Sequence, residues 1–277
     1  MAPPAPPARS NLGRALLAAA LATSLAPAAR AAPPWVERHL VLPRHDFAFD
    51  VGLGVGHHDY YDNDIFNDNV TGVGFNLEGA VGITEHLELG FRTGLRFADE
   101  GRGTAADLYG RLWDTDSYNL GNDTLANPEA RLRYGFLRGD VVELGLEARF
   151  YLPITDGSEF GVAPGLPVTF HFGDVARLDT GVLVPIIFTD DVTTIVSFPA
   201  RLWFQATPRL WLGPISGVRI VNYPGGGSDT QVPLGFGLGY QISSAVDLKT
   251  QFLFPDVDRS GPTDRFGAGL GLQFRVE

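Results

Sequence analysis

Residues 77–97 read LEGAVGITEHLELGFRTGLRF, and their spacing decides the fold class. Leu77, Val81 and Ile83 share one parity. After the break at Thr84-Glu85-His86, Leu87, Leu89, Phe91, Leu95 and Phe97 share one parity, and Glu88, Gly90, Arg92, Gly94 and Arg96 the other. Successive side chains of a strand point to opposite faces, so this alternation predicts two strands joined by a tight polar turn. The strands are long, roughly a dozen residues against a usual ~5–6. One face is apolar and the other is charged or glycine, as a wall between hydrocarbon and water requires.

The same reading extends along the chain. Twelve strands are predicted: 46–56, the two of the hairpin, 128–137, 141–152, 166–172, 175–188, 195–205, 210–221, 232–240, 246–254 and 265–276. The first sets Phe47, Phe49, Val51, Leu53 and Val55 against Gly52, Gly54 and Gly56. The last sets Phe266, Leu270, Leu272 and Phe274 against Gly267, Gly269, Gly271 and Gln273. Phase is clear in strands one to five and ten to twelve. It is poor in six to nine, where Trp203 and Trp211 fall on the polar parity. No helical period occurs after the first thirty or so residues.

Short connections (84–86, 138–140, 173–174, 206–209, 243–245) alternate with longer ones (57–70, 98–127, 153–165, 189–194, 222–231, 255–264). Strict alternation gives an even strand count with both termini on the short-turn side. Lipid offers no partner to backbone N–H and C=O groups, so an open edge would be costly and the first strand should pair with the last. Pro128, Pro153, Pro167, Pro185, Pro199 and Pro233 are expected at long-loop strand ends, where a lost ladder bond faces water. Pro214 is the exception.

Composition bounds the rest. The 277 residues contain no cysteine, which removes disulfides, thiol nucleophiles and thiolate metal sites. Arg9 and Arg14, the apolar run 15–26 and the Ala29-Arg30-Ala31 site predict a secretory leader over 1–31. That run is about twelve residues, short of the ~20 of a spanning helix. The formal charge is −11. Without Arg9, Arg14 and Arg30 it is 18 basic against 32 acidic residues, or −14, which argues against nucleic acid as a partner. The domain organisation expected is leader 1–31, pre-barrel segment 32–45 and barrel 46–277.

The turns ITEHLEL (83–89), ATPRLWL (206–212) and ISSAVDL (242–248) share a hydroxyl-bearing or polar turn followed by an apolar-x-apolar start. With alternation on both sides, they resemble the periplasmic hairpins of bacterial outer-membrane β-barrel families. The likeness covers nearly all of the chain after the leader and is architectural. A departure is the end of the chain, where Arg275, Val276 and Glu277 follow Phe274, whereas those proteins usually end on an aromatic residue. The resemblance implies an all-β fold: a closed, antiparallel, up-and-down transmembrane barrel of about twelve strands. It also implies export to a Gram-negative outer membrane, with the barrel-assembly machinery and outer-membrane lipid as partners, and a porin-like role for small solutes.

The inward face is uneven. Asn76, Glu78, Glu88, Arg92, Arg96, Glu129, Arg131, Arg133, Glu143, Glu147 and Arg149 form a charged wall on strands two to five, while strands one, ten and twelve offer mainly glycine. Two readings stand. Glycine leaves cross-section for a water-filled passage whose charged wall sets ion preference. Alternatively, Arg–Glu pairs plug the interior and the barrel is structural or adhesive. A soluble β-sandwich would need a polar outer face, which strands one to five lack. An enzymatic role is not expected. His39 and His45 precede the barrel, His57 and His58 lie in a loop, His86 in a turn and His171 at a strand end, none beside an evident serine nucleophile. No cofactor or metal is expected. The acidic loops (Asp59, Asp62, Asp64, Asp68; Asp99, Glu100, Asp107, Asp114, Asp116, Asp123) lack EF-hand spacing and read as solvated loops.

Overall fold

A computed structural model describes residues 33–62, 66–97, 125–154, 160–188, 192–223, 226–257 and 265–276. The predicted leader therefore lies outside the described residues, as do Asp64 and the acidic residues of the second loop. Twelve strands form one closed antiparallel sheet. They are β1 (Phe47–Asp62), β2 (Phe66–Gly82), β3 (Leu87–Phe97), β4 (Leu125–Arg138), β5 (Val142–Tyr151) and β6 (Gly161–Phe172). β7 is Ala176–Leu183 continued by Ile186–Ile187, followed by β8 (Thr193–Thr207) and β9 (Leu210–Tyr223). β10 is Gly227–Gln231 continued by Leu234–Ser243, then come β11 (Val246–Phe254) and β12 (Arg265–Val276). Each strand pairs with the next, and β12 closes on β1 from Phe47↔Val276 to His58↔Arg265.

Proline explains the two interrupted strands. Pro185 breaks β7 and Pro233 breaks β10, yet pairing resumes in register on the far side. Pro128, Pro167 and Pro199 lie inside strands rather than at their ends, because the strands run further than alternation alone suggests. Pro167 and Pro199 each face a glycine, Gly181 and Gly217. Gly181 has φ +137°, and a Cβ there would stand 2.2 Å from the Leu166 carbonyl oxygen, so only glycine lets the two backbones close up. Pro214 pairs with Phe236 in mid-strand.

The first long loop is mostly strand. β1 and β2 stay paired out to Asp62↔Phe66, so Asp59, Asp62 and Asp68 belong to a projecting hairpin. Backbone pairing continues there where no face is apolar, and period-two hydrophobicity cannot reveal it.

The outer surface is apolar around the barrel: Leu53, Phe91, Phe136, Phe150, Phe204, Phe236, Phe252 and Leu270 are all exposed. The inward parity is buried. A single 3-10 turn, Trp35–Glu37, is the only helical piece among the described residues. It belongs to a segment, 33–46, that lies within the barrel at its short-turn end.

Candidate functional site: a lumen crossed by the N-terminal segment

Eight of the ten charged residues of the predicted wall join into one chain of ion pairs. Arg131 bonds Glu88 at 2.8 Å and lies 3.4 Å from Glu78. Arg133 stands 3.9 Å from Glu88 and donates to Glu147 at 2.7 Å. Arg149 donates to the same Glu147 and lies 3.8 Å from Glu129, which in turn is 3.7 Å from Arg92. Four arginines and four glutamates balance in charge, as burial of Glu88, Arg92, Glu129, Arg131, Glu147 and Arg149 demands. Asn76 is buried on the same wall. Glu143 is buried too, but it serves the N-terminal segment instead. The Arg96 side chain lies outside the described residues; its backbone pairs with Gly74.

The segment is held end to end. The Trp35 ring stacks on Trp211 at 5.0 Å with an interplanar angle of 2° and meets Trp203 edge-on at 6.2 Å. Arg38 and Lys249 sit over the Trp35 ring. The Arg38 guanidinium binds Asp247 in bidentate fashion, at 2.7 and 3.2 Å. Glu143 accepts from the Leu40 N–H at 2.8 Å and bonds His39 Nδ1 at 2.7 Å and His171 Nε2 at 3.1 Å. Glu88 accepts from the Leu42 N–H at 3.0 Å. The carbonyls of Val36, Arg38 and Leu40 accept from His171, Arg177 and Arg133. An extended segment with no strand beside it must satisfy its backbone this way.

These partners sit near the short-turn ends of β3 to β9 and β11, so the segment crosses the whole mouth. It enters the wall over Gly82. His45 N–H donates to the Gly82 carbonyl and Gly82 N–H to the Asp46 carbonyl. A Cβ at Gly82 would stand 1.8 Å from the Pro43 oxygen, so no other residue fits.

The glycine wall is therefore not bare where β10 passes. Cβ atoms at Gly237 and Gly239 would collide with the Trp203 and Trp211 rings, at 2.6 and 2.0 Å. The expectation of free cross-section fails at this level, because the glycines make room for tryptophan rather than for water. Trp203 and Trp211 point inward as their parity says. The partner that makes this favourable, Trp35, lies far off in sequence. At the long-loop end of β5 to β9, Tyr151, Ala163, Leu183, Ile187, Ile195 and Val221 form a second buried apolar cluster. Both faces of these strands are apolar there, and this blurs their phase. Among residues outside the predicted wall, Trp35, Arg38, Arg177 and Asp247 matter most. Two inward tryptophans flanking one short turn and facing two glycines were the available signal.

A closed twelve-stranded antiparallel barrel, apolar outside and ionic within, defines the fold class of outer-membrane β-barrel proteins. The solved structures it resembles agree. An outer-membrane channel from Pseudomonas putida F1 matches with TM-score 0.59 and 13% identity over 85% of this chain and 97% of that chain. The NanC porin matches with TM-score 0.57 and 7% identity over 82% and 100%. The translocator domain of the autotransporter NalP from Neisseria meningitidis matches with TM-score 0.51 and 11% identity over 96% and 95%. At such identities the likeness is one of fold. No family model matches the sequence, and no curated protein matches it.

Proposed function

We propose that the protein is a non-enzymatic outer-membrane channel for small solutes in a Gram-negative bacterium, reached after removal of the leader 1–31. The short-turn mouth then faces the periplasm. The observation that carries this reading is the interior. Eight ionic side chains, paired and mostly buried, face the axis from β2 to β5, and this polar lining in place of an apolar one supports a passage that takes up water when the mouth is open. Single-channel recording in planar bilayers tests it. Reproducible conductance steps are expected, and neutralising Arg92 and Arg133 should move the reversal potential toward cation preference. A protein that never conducts under any treatment refutes the channel.

The rival reading, a non-conducting structural or adhesion barrel, is favoured by two observations: the wall arginines and glutamates pair with one another, and the segment 33–46 crosses the short-turn mouth. Heat-modifiable gel migration with no conductance would support it.

A further inference from the structure

Residues 33–46 fill the short-turn mouth without being woven into the wall. We infer that they are a releasable plug, which swings out of the lumen as one unit about a hinge at 43–46 and so opens the channel. This rests on the channel reading above.

Three observations carry it. First, every wall carboxylate that holds the segment has a second partner on the wall itself. Glu88 bonds Arg131 at 2.8 Å, with Arg133 at 3.9 Å. Glu143 has His171 at 3.1 Å. Asp247 is paired with Arg275. When the segment leaves, no buried carboxylate loses its last partner, so the largest electrostatic obstacle to departure is absent. A permanent plug has no need of such duplication.

Second, the segment's ties are of two kinds, divided by position. From Val36 to Leu42 its backbone bonds to the wall run to side chains: Gln205, His171, Arg177, Glu143, Arg133 and Glu88. Side chains can turn to water or to one another once released. Among the described residues, backbone-to-backbone bonds to the wall are found at the other end, between His45 or Asp46 and Gly82. One end is thus anchored in the sheet while the rest is held by groups that can let go.

Third, the anchored end has the form of a hinge. Pro43 fixes one torsion, Asp46 N–H closes a turn onto the Pro43 carbonyl at 3.1 Å, and His45 sits at φ +73°. Gly82 gives the backbone room to pass. A few residues at the end of an element are what a swinging segment turns on.

The chain has no cysteine, so a pair can be introduced cleanly. A Cβ at position 135 would stand 3.8 Å from the Val41 Cβ, the usual spacing across a disulfide of ~3.8 Å. In Val41→Cys/Gly135→Cys, the oxidised barrel should show no open events and the reduced one should conduct as the parent does. Heat-modifiable migration confirms that both are folded. A barrel lacking residues 33–42 should stay open. Equal conductance in the oxidised and reduced pair overturns the plug and leaves the channel standing. Silence in both, with conduction only after deletion, shows a fixed occlusion and overturns release. Silence in all three removes the channel, and the plug with it. A second measurement is independent of current. Val41→Cys alone, buried at 4% exposure when seated, should react with a bulky maleimide in the folded barrel and be held open by it. Failure to react overturns the inference.

Discussion

The pair Arg131–Glu88 tests whether the lumen wall is a buried, coupled network or a set of hydrated charges. Both residues are nearly inaccessible, at 5% and 3% exposure, and the bond is 2.8 Å. Arg131→Met leaves Glu88 with Arg133 at 3.9 Å and the Leu42 N–H at 3.0 Å. Breaking a buried pair costs about 3–5 kcal/mol, and these remaining contacts put the loss at about 3 kcal/mol. Glu88→Leu should cost more, because it also strands the Leu42 N–H, worth a further ~1–3 kcal/mol. The double variant replaces ions by apolar groups, so its loss should fall short of the sum by about 1–3 kcal/mol. Urea unfolding in lipid vesicles, followed by tryptophan fluorescence, reads these differences. With a slope of about 3 kcal/mol per molar urea, Arg131→Met should move the midpoint by about 1 M. Additivity to within about 0.5 kcal/mol would refute the coupled network and show charges already solvated by lumen water.

Three further outcomes follow from the geometry. Gly239→Val sets a side chain against a Trp211 ring already pinned by Trp35, so it should cost about 1–3 kcal/mol and weaken the near-ultraviolet circular dichroism of the stacked pair; an unchanged spectrum would contradict the packing. Leu146→Lys, on the outer face of β5, should cost up to about 2–4 kcal/mol in vesicle refolding; no cost would mean that this face is not in hydrocarbon. His171 meets the Val36 carbonyl through Nδ1 and the Glu143 carboxylate through Nε2, so it ties the segment to the wall directly and through the group that also holds the Leu40 N–H. His171→Ala removes both contacts and should quicken maleimide labelling of Val41→Cys; an unchanged labelling rate would refute the link.

Strand number, strand order and closure of β12 on β1 were all legible in the chain. They depend on a period of two, which is local, and on the need to leave no sheet edge unpaired. Phe91, Phe150 and Phe252 face outward for the same reason. Where both faces are apolar, as at Ile187, Ile195 and Val221, periodicity carries no phase, and β6 to β9 could not be oriented from sequence. Where neither face is apolar, as in the hairpin beyond His58, strand extent was invisible.

What the residues could not disclose is where the segment 33–46 goes. Leu40 meets Glu143 across 103 positions, and Arg38 meets Asp247 across 209. Its destination depends on side chains from β3 to β9 and β11 converging on one mouth, which happens only after the sheet has curled shut. Alternation along a strand specifies inside and outside. The occupant of the inside is chosen by shape and charge assembled from distant strands, so only the closed barrel decides it.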